Sequence, residues 1–196
     1  FGLSEEYEAA AHTMLGLHAM QHRGQEATGI VSFDGETFHA KRGRGEVGEI
    51  LNDEIVLKSL AGNAAIGHNR YATTGEGTDQ NIQPLFAEFS SGGFAIAHNG
   101  NLTNASALHN RLLASGSLFQ STTDTEVIIH LMARSMQANL VERLADALHQ
   151  VEGAFSLVAL SRKKLIGVRD PLGIRPLVLG RLGGAHILAS ETCALD

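Results

Sequence analysis

The chain has one cysteine, Cys193, in 196 residues, which excludes an internal disulfide framework and any multi-thiolate metal site. That scarcity agrees with a reducing compartment. With no adjacent basic residue to lower its pKa, Cys193 is expected to be a small buried apolar group rather than a reactive thiol. Positive charge is also in short supply: 15 Lys+Arg stand against 21 Asp+Glu, for a net charge of -6 and a pI near 5.9. Without a run of like charges there is no electrostatic footprint for nucleic acid or for an anionic membrane, and neither partner is expected. No apolar stretch approaches the roughly 20 residues of a membrane helix, and no basic segment followed by an apolar one marks secretion, so the cytoplasm is the expected compartment. Repeats, low-complexity tracts and Pro/Ser-rich linkers are absent as well, so residues 1–196 read as one domain. At 43% hydrophobic residues, that domain can bury a full core.

Familiar catalytic signatures are missing too. There is no GxSxG, no GxxxxGK[ST] phosphate loop and no HExxH among the ten histidines; His12, His18 and His22 fall on a helical stretch and the others are scattered, so surface or structural roles are expected for them. No thiolate stands near a base, and no Ser/His/Asp set is evident.

What is present is a clear alternation of elements. Apolar residues at helical spacing predict a helix over 7–22, with Gly24 as its stop. Strands are predicted at 28–33 and 36–41 around Asp34-Gly35, then at 64–70 and 94–98. Helices follow at 104–115, with Asn104 as cap and Gly116 as stop, at 124–136 and at 140–151. Strands return at 155–160, 165–169, 177–182 and 186–189. The run Phe155-Ser156-Leu157-Val158-Ala159-Leu160 is nearly all apolar, which predicts a strand covered on both faces. Short strands joined by tight turns and two groups of helices together predict an α+β fold: two stacked, mainly antiparallel sheets between helical layers.

Four segments carry residues suited to chemistry. In Ala97-His98-Asn99-Gly100-Asn101-Leu102, an amide side chain and a glycine follow an apolar run. Spacing alone favours a type I′ hairpin turn there, and the functional alternative is an oxyanion hole built from the Asn99 side chain and the Gly100 N–H. Arg70 closes a strand-like run, where its fork suits a carboxylate and Thr73 adds a hydroxyl; an ordinary surface ion pair is the plain alternative. Asp124 opens a helix at which Thr123 and Glu126 fit a capping box, so helix capping explains it, and pairing with a substrate ammonium is the other reading. Arg70 and Asp124 would then grip the two charged ends of an amino acid. Finally, Arg169-Asp170-Pro171-Leu172-Gly173-Ile174-Arg175-Pro176 reads as turn architecture.

Together, these strings and Leu15-Gly16-Leu17-His18-Ala19-Met20-Gln21-His22-Arg23-Gly24-Gln25-Glu26, Gly67-His68-Asn69-Arg70-Tyr71-Ala72-Thr73-Thr74-Gly75, Asn81-Ile82-Gln83-Pro84-Leu85 and Ser121-Thr122-Thr123-Asp124-Thr125-Glu126 resemble, in order and from end to end, the glutaminase domain of the amidophosphoribosyltransferase family. The resemblance implies a four-layer αββα sandwich of the Ntn-hydrolase type and glutamine as substrate. It implies that Asn99 and Gly100 hold the oxyanion, Arg70 with Thr73 the substrate carboxylate and Asp124 its ammonium, and that Arg23 lies at the edge of the site. Mature chains of that family begin with a Cys-Gly-Val-Phe-Gly type of sequence, whose cysteine is the nucleophile. The register that carries through from Phe1 to Arg23 without a gap puts that cysteine three residues before Phe1, so the chain as given is expected to be inactive. Asn69 departs from the family, which more often has an apolar residue there. The family continues into a phosphoribosyltransferase domain that uses phosphoribosyl pyrophosphate and Mg²⁺. No cofactor is expected in residues 1–196, and an iron–sulfur cluster is left open. The full-length protein is expected to be a homo-oligomer that makes 5-phosphoribosylamine for purine synthesis. Two other readings stay open: the glutaminase domain of another Ntn amidotransferase, such as glucosamine-6-phosphate synthase, and a non-catalytic glutamine-binding domain.

Overall fold

A computed structural model describes residues 1–5, 7–71 and 78–195. Strand β1 (Gly2–Ser4) leads to helix α1 (Ala9–Ala19) and a 3-10 turn at Gln21–Arg23. The hairpin β2 (Ala27–Phe33) and β3 (Phe38–Arg44) turns at Asp34, whose Oδ1 accepts the backbone N–H groups of Glu36 and Thr37. Short helices α2 (Val47–Ile50) and α3 (Glu54–Ser59) precede β4 (Ala64–Arg70). A second hairpin, β5 (Leu85–Phe89) and β6 (Gly92–Leu102), is followed by α4 (Ala105–Ala114), α5 (Asp124–Arg134) and α6 (Leu140–Leu148). Strands β7 (Gly153–Ser161), β8 (Leu165–Arg169), β9 (Val178–Leu182) and β10 (Ala185–Ala189) complete the described chain.

The strands form two sheets, ordered β3-β2-β4-β1-β10-β9 and β5-β6-β7-β8, with every pairing antiparallel. Three apolar layers hold them together. Leu17, Met20 and Ala10 of α1 and its C-terminal turn pack with Leu3 and Ala65 on the outer face of the first sheet. Val31, Ile66, Ala95, Ala97, Val158 and Leu160 fill the space between the sheets. Phe94, Ile96 and Leu157 meet Val127, Ile128, Leu131 and Leu144 on the far side of the second sheet. This is the predicted α+β sandwich of two sheets between helical layers. Each large side chain so buried contributes roughly 1.5–3 kcal/mol. The apolar strand is covered on both faces as expected, because β7 sends Leu157 and Ala159 to the helices and Val158 and Leu160 to the other sheet.

Several local expectations are corrected. Asn99-Gly100 is not a turn: β6 runs on to Leu102, with Asn99 opposite Ser156 and Gly100 opposite Phe155. Helix α1 stops at Ala19 rather than 22, because Asn69 Nδ2 donates to the carbonyls of Leu17 (2.7 Å) and Met20 (3.3 Å) at its end. Gly24 is needed for closeness instead of for a left-handed stop: a Cβ there would lie 2.4 Å from the backbone carbon and oxygen of Arg70. At α5 the capping box does not form, since the Glu126 carboxylate accepts the N–H groups of Gln120 and Ser121 and the Ser121 hydroxyl. Asn104 sits at the start of α4, but its side chain bonds Gln150 and Glu152 instead of capping the helix. Cys193 is exposed rather than buried. Strands β1 and β5 and helices α2 and α3 are additional to the predicted set; the longest of the four has six residues, too few for a periodic signal.

Candidate active site

Alternation along β6 sorts its side chains between two environments. Phe94, Ile96 and Leu102 face the helices, and His98, two residues past Ile96, reaches helix α5 through Thr125. Ala95 and Ala97 face the other sheet, so Asn99 faces it too. There Asn99 borders a small cavity of about 40 Å³ together with Phe1, Met20, Arg23, His68, Asn69 and Ser190. Its amide Nδ2 is buried and has no hydrogen-bond partner among the described residues. Gly100 tolerates no side chain, because a Cβ would sit 2.2 Å from the Ala154 carbonyl oxygen.

Strand β4 supplies the opposing wall. Asn69 points to α1, and its Oδ1 also accepts from the Thr28 hydroxyl, so His68 and Arg70 point the other way, towards β6. His68 Nε2 donates to the His98 carbonyl (3.1 Å) and thus links the two sheets at the site. Burial pushes the His68 pKa down to about 3, so the ring is neutral. Arg70 ends β4 with Glu26 Oε1 at 3.9 Å, and the other Glu26 oxygen is buried without a partner among the described residues. Arg23 is held at the cavity by Glu191, which also takes His22 Nε2 at 2.9 Å. That contact with Arg23 is the first cause of the lowered Glu191 pKa.

Asp124 approaches from the helical side of β6. Its Oδ2 accepts the Leu102 N–H (3.0 Å), and its Oδ1 lies 3.3 Å from His98 Nδ1. Burial works to raise the Asp124 pKa, but His98 and the N–H groups of Leu102 and Thr125 outweigh it, so the carboxyl is held below its usual range and stays ionised.

The structure therefore brings Asn99 and Arg23 to one cavity, sets Arg70 beside it at the end of β4, and sets Asp124 against the last turn of β6. Thr73 lies outside the described residues. A buried, unpaired amide donor favours developing negative charge, a guanidinium fork binds a carboxylate, and an ionised carboxylate binds an ammonium. A larger concavity, about 930 Å³ between Arg42, Phe86, Leu118 and Ile129, includes none of these groups. Among the described residues no group of three or more His, Cys, Asp or Glu is placed to hold a metal ion. The functional segments flagged in the sequence contained His98 and Glu26 without giving either a role, and Glu191 went unremarked; their partners are distant in sequence, and only the fold pairs them.

Two antiparallel sheets lie between helical layers, and the Asn99 amide, unpaired among the described residues, borders one cavity with Arg23. The family profile described as "Glutamine amidotransferase domain" matches residues 68–196, and the chain belongs to that family. Over 196 residues it is 55% identical to the amidophosphoribosyltransferase of Rhizobium etli, covering 100% of this chain and 40% of that protein. Against the chloroplastic amidophosphoribosyltransferase of Vigna aconitifolia it is 46% identical, with 100% of this chain and 40% of the relative covered. A solved glutamine phosphoribosylpyrophosphate amidotransferase from Bacillus subtilis, complexed with ADP and GMP, has the same fold. Its TM-score is 0.94 at 42% identity, over 100% of this chain and 42% of that one. The chain thus spans about two fifths of the length of these relatives.

Proposed function

We propose that residues 1–196 form the glutamine site of a domain that releases ammonia from glutamine for transfer to phosphoribosyl pyrophosphate, giving 5-phosphoribosylamine at the entry to purine synthesis. The observation that carries this reading is the buried Asn99 amide, unpaired among the described residues and facing the gap that Arg70 also faces. The names of the relatives, amidophosphoribosyltransferases, support phosphoribosyl pyrophosphate as the acceptor over a hexose phosphate. In the proposed reaction a thiolate attacks the side-chain amide carbon, and the Asn99 side chain and Gly100 N–H hold the oxyanion. Ammonia leaves, and water hydrolyses the γ-glutamyl thioester to glutamate. Arg70 and, as the resemblance implies, Thr73 bind the α-carboxylate, Asp124 binds the α-ammonium, and Arg23 closes the edge of the site. Neutral donors suffice for this chemistry, so the glutaminase step requires no metal or cofactor; Mg²⁺ belongs with the phosphoribosyl acceptor in a further domain.

The nucleophile is proposed to be a cysteine three residues ahead of Phe1. Strand geometry supports this: Gly2 is opposite Ile66, and Phe1 exchanges backbone hydrogen bonds with Gly67, so preceding residues continuing β1 would run beside His68, Asn69 and Arg70. An N-terminal cysteine carries its own base, since an α-amino group of pKa about 7.7–8 accepts the thiol proton near neutral pH. A reducing cytoplasmic setting suits that thiol; no described helix is long and apolar enough to cross a membrane, although one relative is chloroplastic. The test compares ammonia release by the chain with Cys-Gly-Val added before Phe1, with Ser-Gly-Val added, and without addition. Release from the cysteine form alone is expected. Equal release from all three would refute the nucleophile, and glutamine use unchanged by phosphoribosyl pyrophosphate in the whole protein would refute the acceptor.

A further inference from the structure

We propose that His98 is the positioning residue that orients Asp124 towards the substrate ammonium, and so ties that grip to the strand carrying Asn99 and Gly100. The inference rests on the reading of Asp124 given above.

The His98 side chain is 1% exposed, and its Nδ1 lies 3.3 Å from Asp124 Oδ1 and 3.2 Å from Thr125 Oγ1. A carboxylate only accepts hydrogen bonds, so Nδ1 carries the proton. Nε2 is buried with no partner among the described residues, so Nδ1 carries the ring's hydrogen bonding there. All the side-chain hydrogen bonding of His98 is thus directed at the first two residues of α5. A histidine kept only to fill the core would have no reason to leave one nitrogen bare and aim the other at an acid.

Asp124 needs such a partner. A carboxylate in the first turn of a helix is drawn to the helix's own free N–H groups, and here Thr123 makes no side-chain capping bond that would occupy them. Asp124 has one oxygen on the Leu102 N–H and the other beside His98, both donors belonging to β6, with the Thr125 N–H of its own helix adding to them, while its side chain remains 25% exposed for a ligand. His98 is itself fixed on two further sides: its N–H donates to Gln83 Oε1 (2.7 Å), and its carbonyl accepts from His68 Nε2 (3.1 Å). Consecutive residues of one strand therefore serve opposite faces, Asn99 aiming at the amide and His98 steering the acid that takes the ammonium.

The test is calorimetry of this chain with L-glutamine and with 4-carbamoylbutanoate, which is glutamine without its α-ammonium. His98→Asn keeps an amide N–H where Nδ1 stands; His98→Gln moves it to the place of Nε2, and His98→Leu removes it. His98→Leu and His98→Gln are expected to weaken glutamine binding about tenfold while changing the analogue less than about twofold, as when a hydrogen bond to a charged group is lost. His98→Asn should restore most of the loss, and in an Asp124→Asn background His98→Leu should add nothing. The proposal is overturned if both ligands weaken equally, if the double variant is additive, or if the Asn and Gln variants bind glutamine alike. The Asn and Gln pair decides it even where the Leu variant does not fold. Failure of the unaltered chain to prefer glutamine over the analogue would instead overturn the assignment of Asp124.

Discussion

Two pairs of like residues separate the part of this molecule that holds shape from the part able to act. Asp170 and Asp124 are both ionised carboxylates near strand ends, yet Asp170 is saturated: Oδ1 accepts from Leu172 and Ile174, and Oδ2 from Phe155 and Arg175. It is 3% exposed and fastens the turn after β8 to β7, as the sequence suggested for that string. Asp124 has a backbone donor on one oxygen, a histidine on the other, and an exposed remainder. The asparagines divide the same way. Asn69 uses both ends of its amide, on Leu17, Met20 and Thr28, whereas the buried Nδ2 of Asn99 has no partner among the described residues. Saturated polar groups are architecture, and buried capacity left open is where a substrate is expected.

If that division is right, substitutions on its two sides must fail differently. The largest effect is expected for Asn99→Ala in the form carrying Cys-Gly-Val before Phe1: kcat should fall roughly 100- to 1000-fold with little change in glutamine KM, and the thermal midpoint should stay close to that of the parent. An unchanged kcat would remove Asn99 from the oxyanion hole and break the comparison at its sharpest point. Next come the grips. Asp124→Asn and Arg70→Lys are each expected to raise glutamine KM roughly 10- to 100-fold with a smaller effect on kcat, since each loosens a bond to a charged group that persists through the reaction. Steady-state kinetics read the two signatures apart.

The sequence revealed this division unevenly, for physical reasons. Strands β4 and β8 have the bounds their composition predicts, because an apolar run closed by an arginine is a local signal. The five described residues of the expected site, Arg23, Arg70, Asn99, Gly100 and Asp124, were legible as short strings, since turn-like and capping-like chemistry stands out against apolar neighbours. What those strings do locally was not legible. Asn99-Gly100 has turn propensity, and it is a strand here because β7 offers Ser156 and Phe155 as partners; no local window contains that fact. Thr123 and Glu126 have capping-box spacing, yet Glu126 is claimed by the loop at Ser121. Arg23 and Asn69 became interpretable only once Glu191 and the end of α1 were seen beside them.

On the architectural side, Asn69→Ala should lower stability by about 1–2 kcal/mol, because it leaves the Leu17 and Met20 carbonyls and the Thr28 hydroxyl short of a partner. Urea midpoints measure it, and a loss of activity without a loss of stability would move Asn69 to the functional side.

The smallest effect is expected in acid. Burial acts to raise the Asp170 pKa, but the N–H groups of Arg175, Ile174, Phe155 and Leu172 more than offset it and hold it below the ordinary value. A carboxyl whose folded pKa is depressed contributes stability that is complete above its unfolded pKa, near 3.9, and is lost as pH falls through the lower folded value. Asp170→Asn removes that contribution, so the urea midpoints of parent and variant should differ most near pH 7 and converge as pH falls below about 4. Asp124→Asn should converge in the same direction but by less, because two backbone N–H groups, of Leu102 and Thr125, and a histidine hold Asp124, against four backbone donors for Asp170. Two curves of equal convergence would mean that Asp124 is as structurally committed as Asp170, and that its exposure is no sign of a vacant grip.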